Sequence, residues 1–418
     1  MKDKMVKLIK DSYWIFLEPT TYCRRDERGW LLYNTCNGKY YVSESKEVTG
    51  VISEICDRGS LGVSLIQSDV VNHSLELSAF VDEIEEKKLG GILCVEDVPK
   101  KPVRFMPVLN LQRDIDKLKL IDTKSKGREI GKFLLELNIY INNSCNHTCS
   151  LCEDYHKQYL SCTAVTNKPE VNIATDMLEL TLNQVSNGNL SALNIIGGDL
   201  SLHPNVEKIV ELLQPFKHIV RIWSNYKNFS SYSVFDGFAY TITVNFPVVE
   251  SFLRSTIQKQ DAADVQFLFH VTSEDDYKKT LDIVNDYPDL NYSVLPVYDG
   301  MNMDFFQRSV FVSSNDILEE TISLREIFAH QKLNTNFFGS LTVLPNGDVK
   351  ANINREVLGN VRDKRIVELI HEELLENTAW RRTRDDEPCN QCRFQFLCPS
   401  PSNLELVIGR ANLCQVVS

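Results

Sequence analysis

The sequence predicts an α/β protein built on an open, curved, partial (β/α)6 barrel. A small N-terminal α+β unit of winged-helix-like pattern precedes it, and a loop-rich, cysteine-bearing segment follows. Three observations predict this. Six candidate strands alternate with helical stretches between residues 135 and 330. Residues 13–95 carry short strands followed by helical spacing. Seven of the 12 cysteines fall into two groups, one just after the first of the six strands and one in the last thirty residues.

The N-terminal strands read at 14–17, 29–33 and 39–42, with Asn37 and Gly38 as the hairpin turn between the last two. Val48, Val51, Ile52 and Ile55 have helical spacing, as do Leu75, Leu77, Phe80, Val81 and Ile84. Gly90 and Gly91 are expected to stop the second helix, and 92–95 to form a wing strand. Residues 96–130, with Pro99, Pro102 and Pro107, read as a linker with a short helix near 111–120. The central strands read at 137–141, 192–196, 220–223, 240–244, 265–270 and 292–297. Helices fall between them, clearest at 177–185, 206–216, 249–258 and 275–284. Parallel strands need such crossovers, and six units are too few to close an eight-fold barrel. Residues 341–350 read as a hairpin around Pro345, Asn346 and Gly347, followed by a helix at 364–379. The remaining tail is too small to bury much apolar surface, so it is expected to need a metal to fold. The chain divides at 1–97, a linker 98–132, 133–335 and 336–418.

Composition narrows the function. With 43% hydrophobic and 24% charged residues, there is ample material for a core. A net charge of -12 argues against a nucleic-acid partner, which calls for a basic surface. No apolar run is long enough to span a bilayer, and the basic N-terminus lacks the apolar stretch of a secretory signal. A cytoplasmic chain follows as the expectation, and there thiols clustered at short spacing point to metal before disulfide. The scattered Cys23, Cys36, Cys56, Cys94 and Cys162 read as small buried hydrophobes.

The first group lies in NNSCNHTCSLC at 142–152, a CxxxCxxC motif of Cys145, Cys149 and Cys152. Three thiolates on one loop can ligate three irons of a [4Fe–4S] cube and leave the fourth open. A zinc loop completed by His147 or His156 is the alternative. The loop leaves the C-terminal end of a strand, where α/β sheets bind ligands. This spacing and context resemble the radical S-adenosylmethionine (SAM) superfamily over residues 135–300. The resemblance implies that the open iron binds SAM and that reductive cleavage yields a 5′-deoxyadenosyl radical. Leu151 stands where the family usually has an aromatic residue. Further matches are Gly197, Gly198 and Asp199 after the second strand, implied to receive the SAM amino group, Ser224 and Asn225 near the ribose, and Asn245 at another SAM contact. Capping and turn formation are the competing roles for the last three.

The second group, CNQCRFQFLC at 389–398 with Cys414, resembles the SPASM extension of radical SAM peptide-modifying enzymes. Three family ligands of a first auxiliary cluster are missing: Asn352 and Ser402 replace two, and no cysteine precedes Gly347 in its stretch. Cys389, Cys392, Cys398 and Cys414 match the set for the other, which implies one auxiliary [4Fe–4S] cluster. A structural zinc on the same thiols is the alternative. The N-terminal unit resembles the PqqD-like peptide-recognition domain, which implies a precursor peptide held by its leader as an added strand. A packing domain is the competing role. Together the resemblances imply a maturase of ribosomally made peptides, fed by flavodoxin or ferredoxin. Crosslinking is the leading chemistry. Epimerisation with Cys162 as hydrogen donor is the alternative within that class, and a non-catalytic peptide-binding partner the alternative outside it.

Overall fold

Short strands with two different faces need two different surfaces to cover them, and the N-terminal unit provides a direct case. A computed structural model describes residues 8–105, 130–147, 149, 152, 157–162, 170–229, 233–258 and 264–416. The helix expected near 111–120 lies outside these residues, as does His156. The unit runs β1 (Ser12–Leu17), β2 (Thr21–Arg25), β3 (Trp30–Asn34), β4 (Tyr40–Ser43), α1 (Lys46–Cys56), β5 (Val63–Gln67), α2 (Ser68–His73), α3 (Leu75–Glu86) and β6 (Gly90–Cys94). It forms two antiparallel sheets, ordered β5-β1-β6 and β2-β3-β4. Sequence reading missed β2 and β5, because TYCRR and VSLIQ are five-residue runs without clean alternation. It also misplaced the helix stop. α3 ends before Lys88, whose φ of 55° turns the chain, and the two glycines open β6 instead. A Cβ on Gly90 would lie 2.1 Å from the Phe16 carbonyl oxygen, so glycine lets β6 approach β1. Leu75 begins α3 exposed, and the buried stripe starts at Leu77.

Residues of β3 face alternately two cores, as a strand's period of two requires. Leu32 and Trp30 meet Val48, Ile52 and Phe80 of their own unit. Leu31 and Tyr33 instead pack with Ile327, Phe394 and Leu397 from the far end of the chain.

The central sheet is laid down by β7 (Glu136–Tyr140), α4 (Thr175–Val185), β8 (Ala192–Ile196), α5 (Val206–Leu213), β9 (Val220–Asn225), β10 (Ala239–Asn245), α6 (Glu250–Ile257), β11 (Val265–Val271), α7 (Glu274–Asp286) and β12 (Tyr292–Pro296). All six strands pair in parallel with their sequence neighbours. The two faces differ in kind. Leu137, Ile139, Leu193, Ile195, Ile222, Ile242 and Phe267 form one buried cluster with Leu178 and Leu182 of α4 and Ile209 of α5. The intervening positions are largely polar: Asn138, Asn194, Trp223, Thr241, Thr243 and His270. They are knitted together, with Asn194 Nδ2 donating to Asn138 Oδ1 (2.8 Å) and Trp223 Nε1 to Asn194 Oδ1 (2.9 Å). One face of the sheet therefore holds the helices, and the other offers polar groups.

The chain continues through α8 (Met303–Ser309), α9 (Ser314–Glu319), α10 (Leu324–His330), β13 (Ser340–Val343), β14 (Asp348–Lys350), β15 (Gly359–Asn360), α11 (Ile366–Glu376) and α12 (Asn403–Ile408). The expected hairpin exists as β13 and β14, but β13 also pairs in parallel with β7. Among the described residues the central sheet thus reaches nine strands, ordered β12-β11-β10-β9-β8-β7-β13-β14-β15, across the division read at 335. Just after α11 a buried carboxylate fixes the turn. Glu373, fully buried, accepts from Thr378 N (3.0 Å), Thr378 Oγ1 (2.5 Å), Ala379 N (2.9 Å) and Trp380 N (2.7 Å). Truncating it orphans buried backbone donors as well as removing charge-assisted bonds. Glu373→Ala is expected to lower stability by about 2–4 kcal/mol in urea unfolding, with Glu373→Gln in between. A loss under about 0.5 kcal/mol, the size of an ordinary surface substitution, would contradict this role.

Candidate functional site

β7 is followed by Ile141 and Asn142, and Asn142 is the peg on which the first cysteine loop hangs. It is fully buried and bridges to Asn172. Its Nδ2 donates to the Asp199 carbonyl (2.7 Å), and its Oδ1 accepts from Gly198 N (3.0 Å). Asp199 N in turn donates to the Ser144 carbonyl (2.6 Å). A Cβ on Gly197 would lie 2.2 Å from Asn142 Oδ1, and one on Gly198 2.1 Å from the Ser144 oxygen. Gly198 thus admits the backbone of the cysteine loop itself, and Gly197 the Asn142 side chain. Asp199 Oδ1 accepts from Ser201 N (3.1 Å) and Ser201 Oγ (2.6 Å), which caps the next turn.

The loop gathers its thiols. Cys145 Sγ accepts from His147 N (3.4 Å) and Asn228 Nδ2 (3.7 Å). Cys152 N donates to the Cys149 carbonyl (3.0 Å), a tight turn that brings the two side chains into hydrogen-bond contact. That contact, then burial, pushes the Cys149 thiol up, while Lys227 opposes it. Cys162 is buried beside Cys152, Cys145 and the Thr243 hydroxyl, and burial first, then the neighbouring thiols, pushes it up. The His147 ring meets Phe252 edge-on at 6.4 Å.

Residues 157–162 cross the polar face of the sheet. The Ser161 carbonyl accepts from Tyr140 OH (3.3 Å), Tyr159 OH donates to the Pro296 carbonyl (2.8 Å), and the Tyr159 ring stacks on His270 at 6.0 Å. Sequence reasoning missed Tyr159, because its irregular segment carries no periodic signal, and missed His270 although its strand was expected, because a strand pattern does not name the partner of a side chain. The expected strand-end residues are neighbours here. Ser224 Oγ donates to the Asn225 carbonyl (3.0 Å), and Asn245 Oδ1 meets His270 Nδ1 at 3.0 Å. Asn225 Oδ1 accepts from Lys227 N (3.1 Å), but its buried Nδ2 has no hydrogen-bond partner among the described residues.

The second group meets in one place. Cys389, Cys392, Cys398 and Cys414 line a single cavity of about 230 Å³. Burial pushes Cys389 and Cys392 up and takes Cys398 up to about 12. Arg384 is the counter-charge: Nη1 lies 4.0 Å from Cys389 Sγ and 3.3 Å from the Ala411 carbonyl, Nε donates to the Pro399 carbonyl (2.6 Å), and Nη2 pairs with Glu405 (2.8 Å). One side chain thereby ties three segments around the thiols. Among the described residues no group of three or more His, Cys, Asp or Glu side chains converges on a single metal-ion position. The N-terminal unit docks directly on this tail. Arg393, nearly buried, pairs with Asp26 (2.9 Å) and Glu44 (3.0 Å), and Arg24 donates to the Asn390 carbonyl (2.7 Å).

The scattered cysteines are not uniformly buried. Cys36 is exposed, Cys23, Cys56 and Cys94 are half-buried, and only Cys162 is fully so. Cys23 and Cys56 hydrogen-bond each other between β2 and α1.

No protein-family model and no curated protein matches the chain. Among solved structures it is similar to Streptococcus suis SuiB. The structure with precursor peptide SuiA aligns at 12% identity and TM-score 0.42, that with S-adenosylmethionine at 14% and 0.45, and a third at 13% and 0.41. Each alignment covers 96% of this chain and 100% of the other.

If the glycine pair seats the loop, Gly198→Ala must push Ser144 away. In the metal-free chain, alkylation of Cys145, Cys149 and Cys152 is expected to quicken about tenfold, the equivalent of about 1.4 kcal/mol of local opening. Gly50→Ala, where a Cβ would meet nothing within 4 Å, is expected to leave the rate unchanged. Equal rates in both variants would refute the seating role.

Proposed function

We propose that this chain is a radical SAM enzyme that matures a ribosomally made precursor peptide. The observation that carries the reading is the gathering of Cys145, Cys149 and Cys152 on one loop at the C-terminal ends of parallel strands, over a polar sheet face. In this reading the three thiolates hold a [4Fe–4S] cluster with one iron open to SAM. The cluster and SAM would supply a 5′-deoxyadenosyl radical that takes hydrogen from the peptide. Gly197 and Gly198 hold the loop's backbone in place, and Asp199, Ser224, Asn225 and Asn245 supply polar groups for SAM. The unpartnered Asn225 Nδ2 fits a missing acceptor, because a buried amide donor is seldom left unpaired. His147 is turned to Phe252, which favours the cluster over a zinc loop.

Cys389, Cys392, Cys398 and Cys414 are assigned a second [4Fe–4S] cluster. Four thiolates leave no iron open, so electron transfer is its role, as an oxidative crosslink in the peptide requires. Arg384 would offset the charge of those thiolates and stabilise the reduced cluster. Epimerisation is the second reading, favoured by Cys162, a buried thiol kept protonated beside the cluster loop. A non-catalytic partner would not need the first group at all.

The N-terminal unit is assigned the leader. β4 is an outer strand, with Tyr41 against Phe80 of α3 (5.3 Å) and Tyr40 and Val42 more than a third exposed. An extended peptide adds to such an edge through main-chain bonds. A cleft of about 840 Å³ runs from Tyr40 and Val42 to Cys392 and Arg393, which gives a bound chain a route towards the tail.

Replacing Cys145, Cys149 and Cys152 with Ala is expected to abolish 5′-deoxyadenosine formation under dithionite. Undiminished product would sink the assignment. The iron content is expected at about eight per chain, from two cubes. About four irons with one zinc would move the tail to a structural zinc. Proline scanned through the leader is expected to break binding where side-chain changes do not, since proline lacks the N–H donor. Equal affinity of the intact chain and one lacking residues 1–100 would reduce the N-terminal unit to a packing role.

A further inference from the structure

The tail holds a second cavity, of about 320 Å³, and its wall is rich in arginine. Arg355, Arg382, Arg384 and Arg410 border it, against Asp386 and Glu405. Arg384 is committed to Glu405 at 2.8 Å, and both side chains are almost buried. Arg382 Nε donates to the Thr378 carbonyl (3.0 Å), and Arg410 lies over the Phe311 ring at 5.3 Å. Among the described residues, Arg355, Arg382 and Arg410 form no ion pair.

Arg355 is half-buried. Burial, then the charge of Arg382, holds its pKa below the ordinary guanidinium value, and Glu356 and Asp386 only partly oppose this. Two like charges therefore border one cavity, Arg355 half-buried and Arg382 exposed, in a chain whose net charge is -12. Such an arrangement costs free energy, and a bound anion offsets that cost. Asn352 and Ser402, the two positions where the cysteine pattern is interrupted, border the same cavity. Both are occupied internally: Asn352 Nδ2 donates to Asn403 Oδ1 (2.8 Å), and Ser402 Oγ caps α12 and meets Glu405 (2.5 Å).

We propose that this cavity binds a carboxylate of the peptide substrate, gripped by Arg355 and Arg382. Guanidinium forks match a carboxylate bidentately, and the cavity has room for an acidic side chain or a chain terminus. Arg384, Cys389 and Glu405 line both this cavity and the thiol cavity, so an acid docked here lies beside the tail cysteines. The assignment rests on the peptide-maturation reading for the carrier of the carboxylate. The binding itself does not require radical chemistry.

The test is titration calorimetry on the iron-loaded full chain at low salt, without SAM. The probes are acetylated, amidated triglutamate and its isosteric triglutamine. Triglutamate is expected to bind, with triglutamine at least about tenfold weaker. The R355Q/R382Q double variant is expected to lose about tenfold, and R355K/R382K to fall between. The unfolding midpoint of each variant reports whether it is folded, and the lysine pair serves if the glutamine pair is not. Equal affinity for the two peptides, or unchanged binding by a folded double variant, overturns the proposal. So does absence of triglutamate binding, including the case where flavodoxin alone is sensitive to the two arginines. Because no SAM is present, failure here leaves 5′-deoxyadenosine formation untouched, while loss of that product with binding intact would fault the radical reading alone.

Discussion

The contact on which the site depends is the close approach of the Ser144 backbone to Gly198 and of the Asn142 side chain to Gly197. Neither glycine could carry a Cβ, since one would meet Asn142 Oδ1 and the other the Ser144 carbonyl at about 2 Å. Asn142 closes the contact by bonding to Gly198 and Asp199 with its two amide atoms. A loop pinned at its root in this way starts its first thiol, Cys145, from a fixed backbone. Cys145, one residue beyond Ser144, starts from that junction of two adjacent parallel strands.

The second organising feature is the division of labour between sheet faces. Period-two alternation sends Leu137, Ile139, Leu193 and Ile195 to the helices and Asn138 and Asn194 to the other side. Buried polar groups on that side are costly unless bonded, and most of them bond to one another. Where one does not, as at Asn225 Nδ2 at the end of β9, a buried donor is left without a partner among the described residues. The tail extends the same logic with charge. Arg384 lies beside Cys389 and Cys398, Arg393 ties the tail to Asp26 and Glu44 of the N-terminal unit, and Arg355 and Arg382 form no ion pair among the described residues.

Much of this was legible in the sequence, and the exceptions have physical causes. The six parallel strands were visible because each sets apolar residues at alternate positions over five to seven residues, with helical spacing in most of the gaps between them. The thiol groups were visible because ligand spacing is local. β2 and β5 were not, since neither alternates cleanly. The pairing of β13 with β7 joins residues about 200 apart, and local pattern carries no information on partners so distant. The same holds for Tyr159 on His270 and for the arginine-lined cavity, which draws on Arg355, Arg382 and Arg410 from three separate segments. Gly197 and Gly198 share that feature: a Gly-Gly-Asp turn announces a close approach without saying which atoms arrive.

The central claim, that the 145–152 loop carries an iron site open to SAM, is tested most directly by electron paramagnetic resonance. The sample is a variant with Cys389, Cys392, Cys398 and Cys414 all changed to Ala, reconstituted with iron and sulfide and reduced. A cluster with an open iron predicts a signal that shifts when SAM is added and that couples to a nitrogen-15 label in the SAM amino group. A signal that neither shifts nor couples, in a protein that retains about four irons, would contradict the account.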